Sequence, residues 1–135
     1  MNRQEFITKL ETLDLPKSEY IILSGGSLLL RGLRQATADL DICVSEELAA
    51  KLDLKNCPKD EDGCYTPFEG VQMKADMAGR AFDVVEGYRC QTLEDILAAK
   101  RRWQRPKDLK DIEVIEAYLK AARSGTCIEG SKNAE

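Results

Sequence analysis

Ser24-Gly25-Gly26-Ser27, followed after residues 28–38 by Asp39-Leu40-Asp41, is the stretch on which the fold turns. The apolar run Tyr20-Ile21-Ile22-Leu23 precedes the glycines and predicts a short buried strand. The small-residue turn leads into residues 27–33, predicted as a short helix with Ser27 as its cap. Residues 39–44 read as a second strand. A strand puts residues i and i+2 on one face, about 6.6 Å apart for a rise of about 3.3 Å per residue. Asp39 and Asp41 therefore project together. Two like charges side by side cost free energy unless a cation neutralises them. Magnesium, hard and oxygen-seeking, is the natural candidate.

Working outward, residues 2–13 predict a helix. Asn2 is its N-cap with Glu5 three residues on, and Phe6, Ile7, Leu10 and Leu13 share one face. Leu15-Pro16 ends it. Ser45 caps a third helix that reaches residue 52, and residues 53–63 form a polar loop. Residues 64–68 and 71–75 predict strands joined at Glu69-Gly70, and Ala81-Phe82-Asp83-Val84-Val85 predicts another. Thr92 and Asp95 make a capping pattern for a helix over 93–103. Pro106 falls in the first turn of a last helix, which carries Leu109, Ile112, Ile115, Leu119 and Ala122 at spacings of three and four. From Ser124 the composition turns to Gly, Ser, Lys and Asn. Residues 124–135 are thus expected to be a flexible tail behind a single domain over 1–123. The expected fold class is α/β, a small mixed β-sheet of about four to five strands flanked by helices.

The 135 residues amount to one domain's worth of chain. A hydrophobic fraction of 43% and a charged fraction of 33% are those of an ordinary soluble protein. The net charge of -4 gives no whole-chain attraction to nucleic acid. Histidine is absent, which removes the commonest general base and zinc ligand. Chemistry then falls to carboxylates, lysine, tyrosine and cysteine. The 5 cysteines are odd in number and form no Cys-x-x-Cys pair. That argues against a zinc site and a disulfide framework, and for a reduced, cytoplasmic setting. No apolar run approaches a membrane span, and Met1-Asn2-Arg3-Gln4-Glu5 carries no apolar signal core.

A turn of small residues lets a phosphate approach backbone N–H groups closely, and a helix starting at Ser27 aims its N-terminus at that phosphate. Gly25, Gly26 and Ser27 are the phosphate candidates, and Asp39 and Asp41 the metal ligands. Asp83 is expected on a neighbouring strand, one spacing of about 4.8 Å away. There it completes the metal site and draws the proton from an acceptor hydroxyl. No Gly-Lys-Ser or Gly-Lys-Thr follows the glycines, which excludes a Walker A loop. Gly25, Gly26 and Gly32 also miss the dinucleotide-binding spacing. Lys100 shares a helix face with Ile96 and Leu97. Its ammonium either points at a triphosphate or at Asp83, or reaches water on a snorkelling stem. Arg34 and Thr37 orient the nucleotide or support the carboxylate strand. Asp108 and Asp111 are spaced to pair with Lys107, Arg105 or Arg34. Taken singly, a Gly-Gly-Ser is usually a plain turn and an Asp-x-Asp a solvated pair; the combination is far more specific.

That combination resembles the nucleotidyltransferase superfamily, the fold of polymerase β and of small bacterial transferases. The family pattern, an apolar residue, Gly, Gly or Ser, a spacer and then acid-apolar-acid, reads here as Gly26-Ser27 and Asp39-Leu40-Asp41-Ile42. The family's third acid matches Asp83 in Phe82-Asp83-Val84-Val85. The run Arg34-Gln35-Ala36-Thr37-Ala38-Asp39, and Lys100 followed by Arg105-Pro106-Lys107-Asp108-Leu109-Lys110-Asp111, look like the small transferases of abortive-infection and toxin–antitoxin systems. The resemblance covers residues 20–120. It implies metal-dependent transfer of a nucleoside monophosphate from a nucleoside triphosphate, most simply ATP, to a hydroxyl acceptor. The acceptor is a small molecule such as an aminoglycoside- or lincosamide-type antibiotic, a protein side chain or a transfer RNA end. It further implies two magnesium ions, with manganese able to substitute, on Asp39, Asp41 and Asp83. Gly26 and Ser27 would hold the β- and γ-phosphates, and Lys100 would stabilise negative charge. At this length the chain is expected to lack the large C-terminal helical domain that often holds the acceptor. A homodimer is one way to build that pocket. The second reading is a non-catalytic member of the fold that binds a nucleotide or a protein partner.

Overall fold

The computed structural model describes residues 1–124. The chain forms two compact units, Met1–Thr92 and a second that begins at Leu93. The first unit contains α1 (Arg3–Leu13), β1 (Tyr20–Ile22), α2 (Ser24–Leu30), β2 (Leu40–Val44) and α3 (Glu46–Lys51). It continues with β3 (Tyr65–Phe68), β4 (Val71–Lys74), β5 (Phe82–Val85) and β6 (Tyr88–Gln91). The capping box closes as the sequence predicts. Glu5 N–H donates to the Asn2 side chain at 2.9 Å, and Asn2 N–H donates to the Glu5 carboxylate at 2.8 Å. Ser45 caps α3 by accepting from Leu48 N–H at 3.1 Å.

The strands form one mixed sheet in the order β3-β4-β2-β1-β6-β5. β1 runs antiparallel to β2 and parallel to β6; β2 runs parallel to β4. The outer strands β3 and β5 pair antiparallel with β4 and β6. The α/β class is as expected, but the described residues form six strands rather than four or five. The unpredicted one is β6. Glu86 (φ 53) and Gly87 (φ 86) join the paired residues Val85 and Tyr88 in a two-residue turn with positive φ at both positions. Glutamate stands where such a turn prefers Asn, Asp or Gly, so the hairpin carries little local signal.

The main core lies on one face of the sheet. Ile22, Leu40, Ile42, Val44, Met73 and Cys90 meet Phe6 and Leu10 of α1 there. Alternation along β1 and β2 sends Ile21, Leu23 and Cys43 to the opposite face, where they form a smaller cluster with Met77. Asp41 belongs to that opposite face, two residues from Cys43.

The helix after the glycines spans Ser24–Leu30, not residues 27–33. Gly25, Gly26 and Ser27 are therefore helical and buried, and Ser27 is not a cap. The reason is close packing. A Cβ on Gly26 would lie 2.5 Å from Phe6 Cζ and 2.7 Å from Ile22 Cγ2. Only a residue without a side chain lets α2 nest between α1 and β1. Gly26→Ala gains about 1 kcal/mol of helix propensity but forces two fully buried side chains aside. Overpacking of this kind costs about 1–3 kcal/mol. Urea denaturation should show a net loss; an unchanged midpoint would mean that the pocket repacks freely.

The second unit holds α4 (Leu93–Trp103) and α5 (Pro106–Ser124). Gln104 (φ 48) turns the chain between them and donates its N–H to Lys100 O at 2.8 Å. Leu93, Ile96, Leu97 and Ile115 are buried. Ser124, at which the tail is predicted to begin, is the last residue of α5; the rest of that stretch, residues 125–135 with Cys127, lies outside the described residues. Cys43, Cys57, Cys64 and Cys90 are free thiols. No helix among the described residues is long and apolar enough to cross a membrane.

Candidate functional site

Asp39 lies in the bend before β2, exposed, and Asp41 lies within β2, half-buried. One oxygen of Asp41, Oδ1, is shut off from solvent and has no hydrogen-bond partner. A buried acceptor left unpaired costs about 1–3 kcal/mol, more when it is charged. Burial pushes the Asp41 carboxyl up from 3.8 to about 6. Lys74 and Arg80 pull it down, while Asp39 and Asp60 push it further up. Asp41 is thus an acid held in its ionised form only at a cost, beside a second acid that raises the cost.

The neighbour of Asp41 across the sheet is Gln72 of β4. Gln72 Nε2 donates to Asp60 Oδ2 at 3.4 Å, and Asp60 Oδ1 accepts from Asp62 N–H and Cys64 N–H at 2.9 Å each. Two pairs further along, Lys74 stands opposite Cys43. Val71 and Met73 point into the main core, so Gln72 and Lys74 project on the same face as Asp41. None of Asp60, Gln72 or Lys74 stands out in the sequence as a site residue. The alternation in Val71-Gln72-Met73-Lys74 was the available signal, but only the pairing with β2 gives it meaning.

Asp83 is not on a strand adjacent to β2. β6 and β1 intervene, which makes three strand spacings, about 14 Å at about 4.8 Å each. The register separates them further. Asp83 pairs with Cys90, Cys90 with Ile22, and Ile22 with Ile42, so Asp83 shares a row with Ile42. Residues in one row share a face, and Asp41 points to the other. The expected three-acid convergence is therefore corrected: β6, inserted between β1 and β5, carries Asp83 away from the acid pair. Among the described residues no group of three acids or thiols could hold a metal ion.

Asp83 instead accepts from Arg31 Nη2 at 2.8 Å. Arg31, missed in the sequence, has a side chain only 9% exposed. Its Nη1 donates to Gln91 O at 3.0 Å and also reaches Ser27 Oγ. Ser27 Oγ donates to the same Gln91 carbonyl at 2.8 Å, and Ser24 N–H donates to Gln91 Oε1 at 2.9 Å. The Ser27 hydroxyl thus spends its one donor on β6 rather than on a phosphate. Ser24 holds a left-handed φ of 34, and its N–H bond to Gln91 anchors the turn there. Gly26 faces the core. Gly25 faces the other candidates: a Cβ there would lie 2.6 Å from Thr37 Oγ1 and 2.9 Å from Arg34 Nη1. The fold therefore brings Gly25, Arg34 and Thr37 together, and Asp39 is tied to them by the Thr37 hydroxyl, 3.5 Å from Asp39 O.

Lys100 belongs to the second unit and is buried, 5% exposed, on the face its helical spacing predicts. Its ammonium is held at 3.3 Å by Asp108 and at 3.1 Å by Asp111. Asp108 also accepts from Arg105 Nε at 2.7 Å and Arg105 N–H at 3.2 Å. The Arg105 guanidinium, aided by Lys100, holds the Asp108 carboxyl below its ordinary range against the opposing effect of burial. The predicted pairing of Asp108 with Arg105 forms, and the charge of Lys100 is matched inside its own unit. Compared with protein-family models, curated proteins and solved structures, the chain matches none of them.

Proposed function

We propose that the first unit performs magnesium-dependent nucleotidyl transfer, from a nucleoside triphosphate, most simply ATP, to a hydroxyl acceptor. The observation that carries this reading is the solvent-shielded, unpartnered oxygen of Asp41 beside Asp39. An acid pair of this kind is relieved by a divalent cation. Magnesium is usually held by one or two carboxylates plus substrate phosphates, not by a complete protein cage. Two acids therefore fit it without a third. The bound ion would supply Lewis-acid stabilisation of charge on the transferred phosphoryl group.

In this reading Asp39 and Asp41 hold the ion, and Arg34 and Thr37, gathered at Gly25, orient the nucleotide. Asp83 and Lys100 leave the catalytic set, since each is satisfied by a partner elsewhere. Gln72 opposite Asp41 favours a second reading, a domain that binds metal and nucleotide without transfer. Pyrophosphate release from ATP and magnesium, assayed across aminoglycoside, protein and transfer RNA acceptors, separates the two. Transfer should fall about a hundredfold in Asp39→Ala, as for loss of a group acting on transition-state charge. Full activity in that variant would sink the assignment. Manganese-dependent ATP binding with no product from any acceptor would favour the binding module.

A further inference from the structure

We infer that Lys74 is the phosphate-binding cation of the Asp39–Asp41 face. The inference rests on the reading above and deepens it. A triphosphate brings several negative charges, and a metal on two acids neutralises only part of them, so the site needs a positive side chain on the same surface. The sequence offers Lys100 for the task, but Asp108 and Asp111 already hold its ammonium. Lys74 meets the geometric requirement. It stands opposite Cys43, two residue pairs beyond Asp41 and Gln72, and projects on their face of the sheet. That is about 6.6 Å along the strand, a span that the lysine stem bridges easily.

Lys74 is half-buried and, among the described residues, forms no ion pair. Its positive charge favours the ionised forms of Asp41 and Cys64. Arg80, the other cation felt at Asp41, is tied to Asp76 at 2.8 Å. A lysine on the same face as Asp41, yet not bonded to it, suits a ligand that carries both a cation and phosphates. The acids take the metal and the lysine takes the phosphate oxygens.

Calorimetry with ATP, AMP and manganese on wild type, Lys74→Met and Lys74→Arg tests this, with manganese binding also read by electron paramagnetic resonance. Lys74→Met should weaken manganese-dependent ATP binding about tenfold, the loss of one charge-assisted contact, and leave AMP binding and manganese binding without nucleotide unreduced. Lys74→Arg should restore most of the ATP affinity. If wild type binds ATP and Lys74→Met binds it equally well, the role of Lys74 is refuted while the acid site stands. If wild type binds no ATP in manganese, the site reading fails, and Lys74 with it.

Discussion

Lys100→Met is expected to destabilise the second unit by about 3–5 kcal/mol, the usual cost of stranding buried charge by removing one partner. The Lys100 side chain is 6% exposed, and those of Asp108 and Asp111 are 1% and 12% exposed. Methionine fills much of the same volume, so the loss is electrostatic rather than a cavity. Asp108 retains Arg105, whose own side chain is 46% exposed and thus only partly compensates. The chain's single tryptophan, Trp103, lies at the end of α4 and reports the transition by fluorescence during denaturation. Lys100→Met combined with Asp108→Asn and Asp111→Asn should recover more than half of the loss, because no uncompensated charge remains. A single variant as stable as wild type would show that water reaches the carboxylates.

Asp41→Asn should act in the opposite direction and stabilise the metal-free protein at pH 8, by a few kcal/mol. The folded-state carboxyl is raised from 3.8 to about 6. Between those values the folded protein holds a proton that the unfolded chain releases, so stability falls as pH rises through that window. Above it, ionised Asp41 costs on the order of 3 kcal/mol, at about 1.4 kcal/mol per pKa unit. Asparagine removes that cost. Thermal melts of the two proteins should therefore converge near pH 4 and separate by several degrees at pH 8. Divalent cation should stabilise wild type and not the variant. Equal melts at pH 8 would mean that Asp41 is solvated and carries no penalty for a cation to relieve.

Local chemistry was legible wherever a residue acts on its own neighbourhood. Asn2 with Glu5, Ser45 before α3 and Pro106 opening α5 each satisfy or tolerate free helix-end N–H groups. Those needs are met within a few residues, so their sequence signals are direct. The inward face of Lys100 follows likewise from the helix repeat, whereas Asp39, expected on the strand, lies in the bend before β2 and outside the strand repeat. What the repeats do not contain is which strand lies beside which. Asp83 is on a strand, as its apolar flanks predict, but β6 separates that strand from β1. The Glu86-Gly87 hairpin that makes β6 had too weak a local signature to announce it.

By itself, then, the amino-acid order determined the α/β class, most of the element boundaries and the burial of Lys100. Only the tertiary structure decided the partner of each charge: Arg31 for Asp83, Asp108 and Asp111 for Lys100, and no hydrogen-bond donor for Asp41 Oδ1. It likewise assigned Gly26 to packing against Phe6 instead of an open phosphate loop. The physical reason is range. Helix and strand periodicity arise from bonds between near neighbours, whereas strand order and charge pairing are set by contacts between segments far apart in the chain, for which local periodicity carries no code.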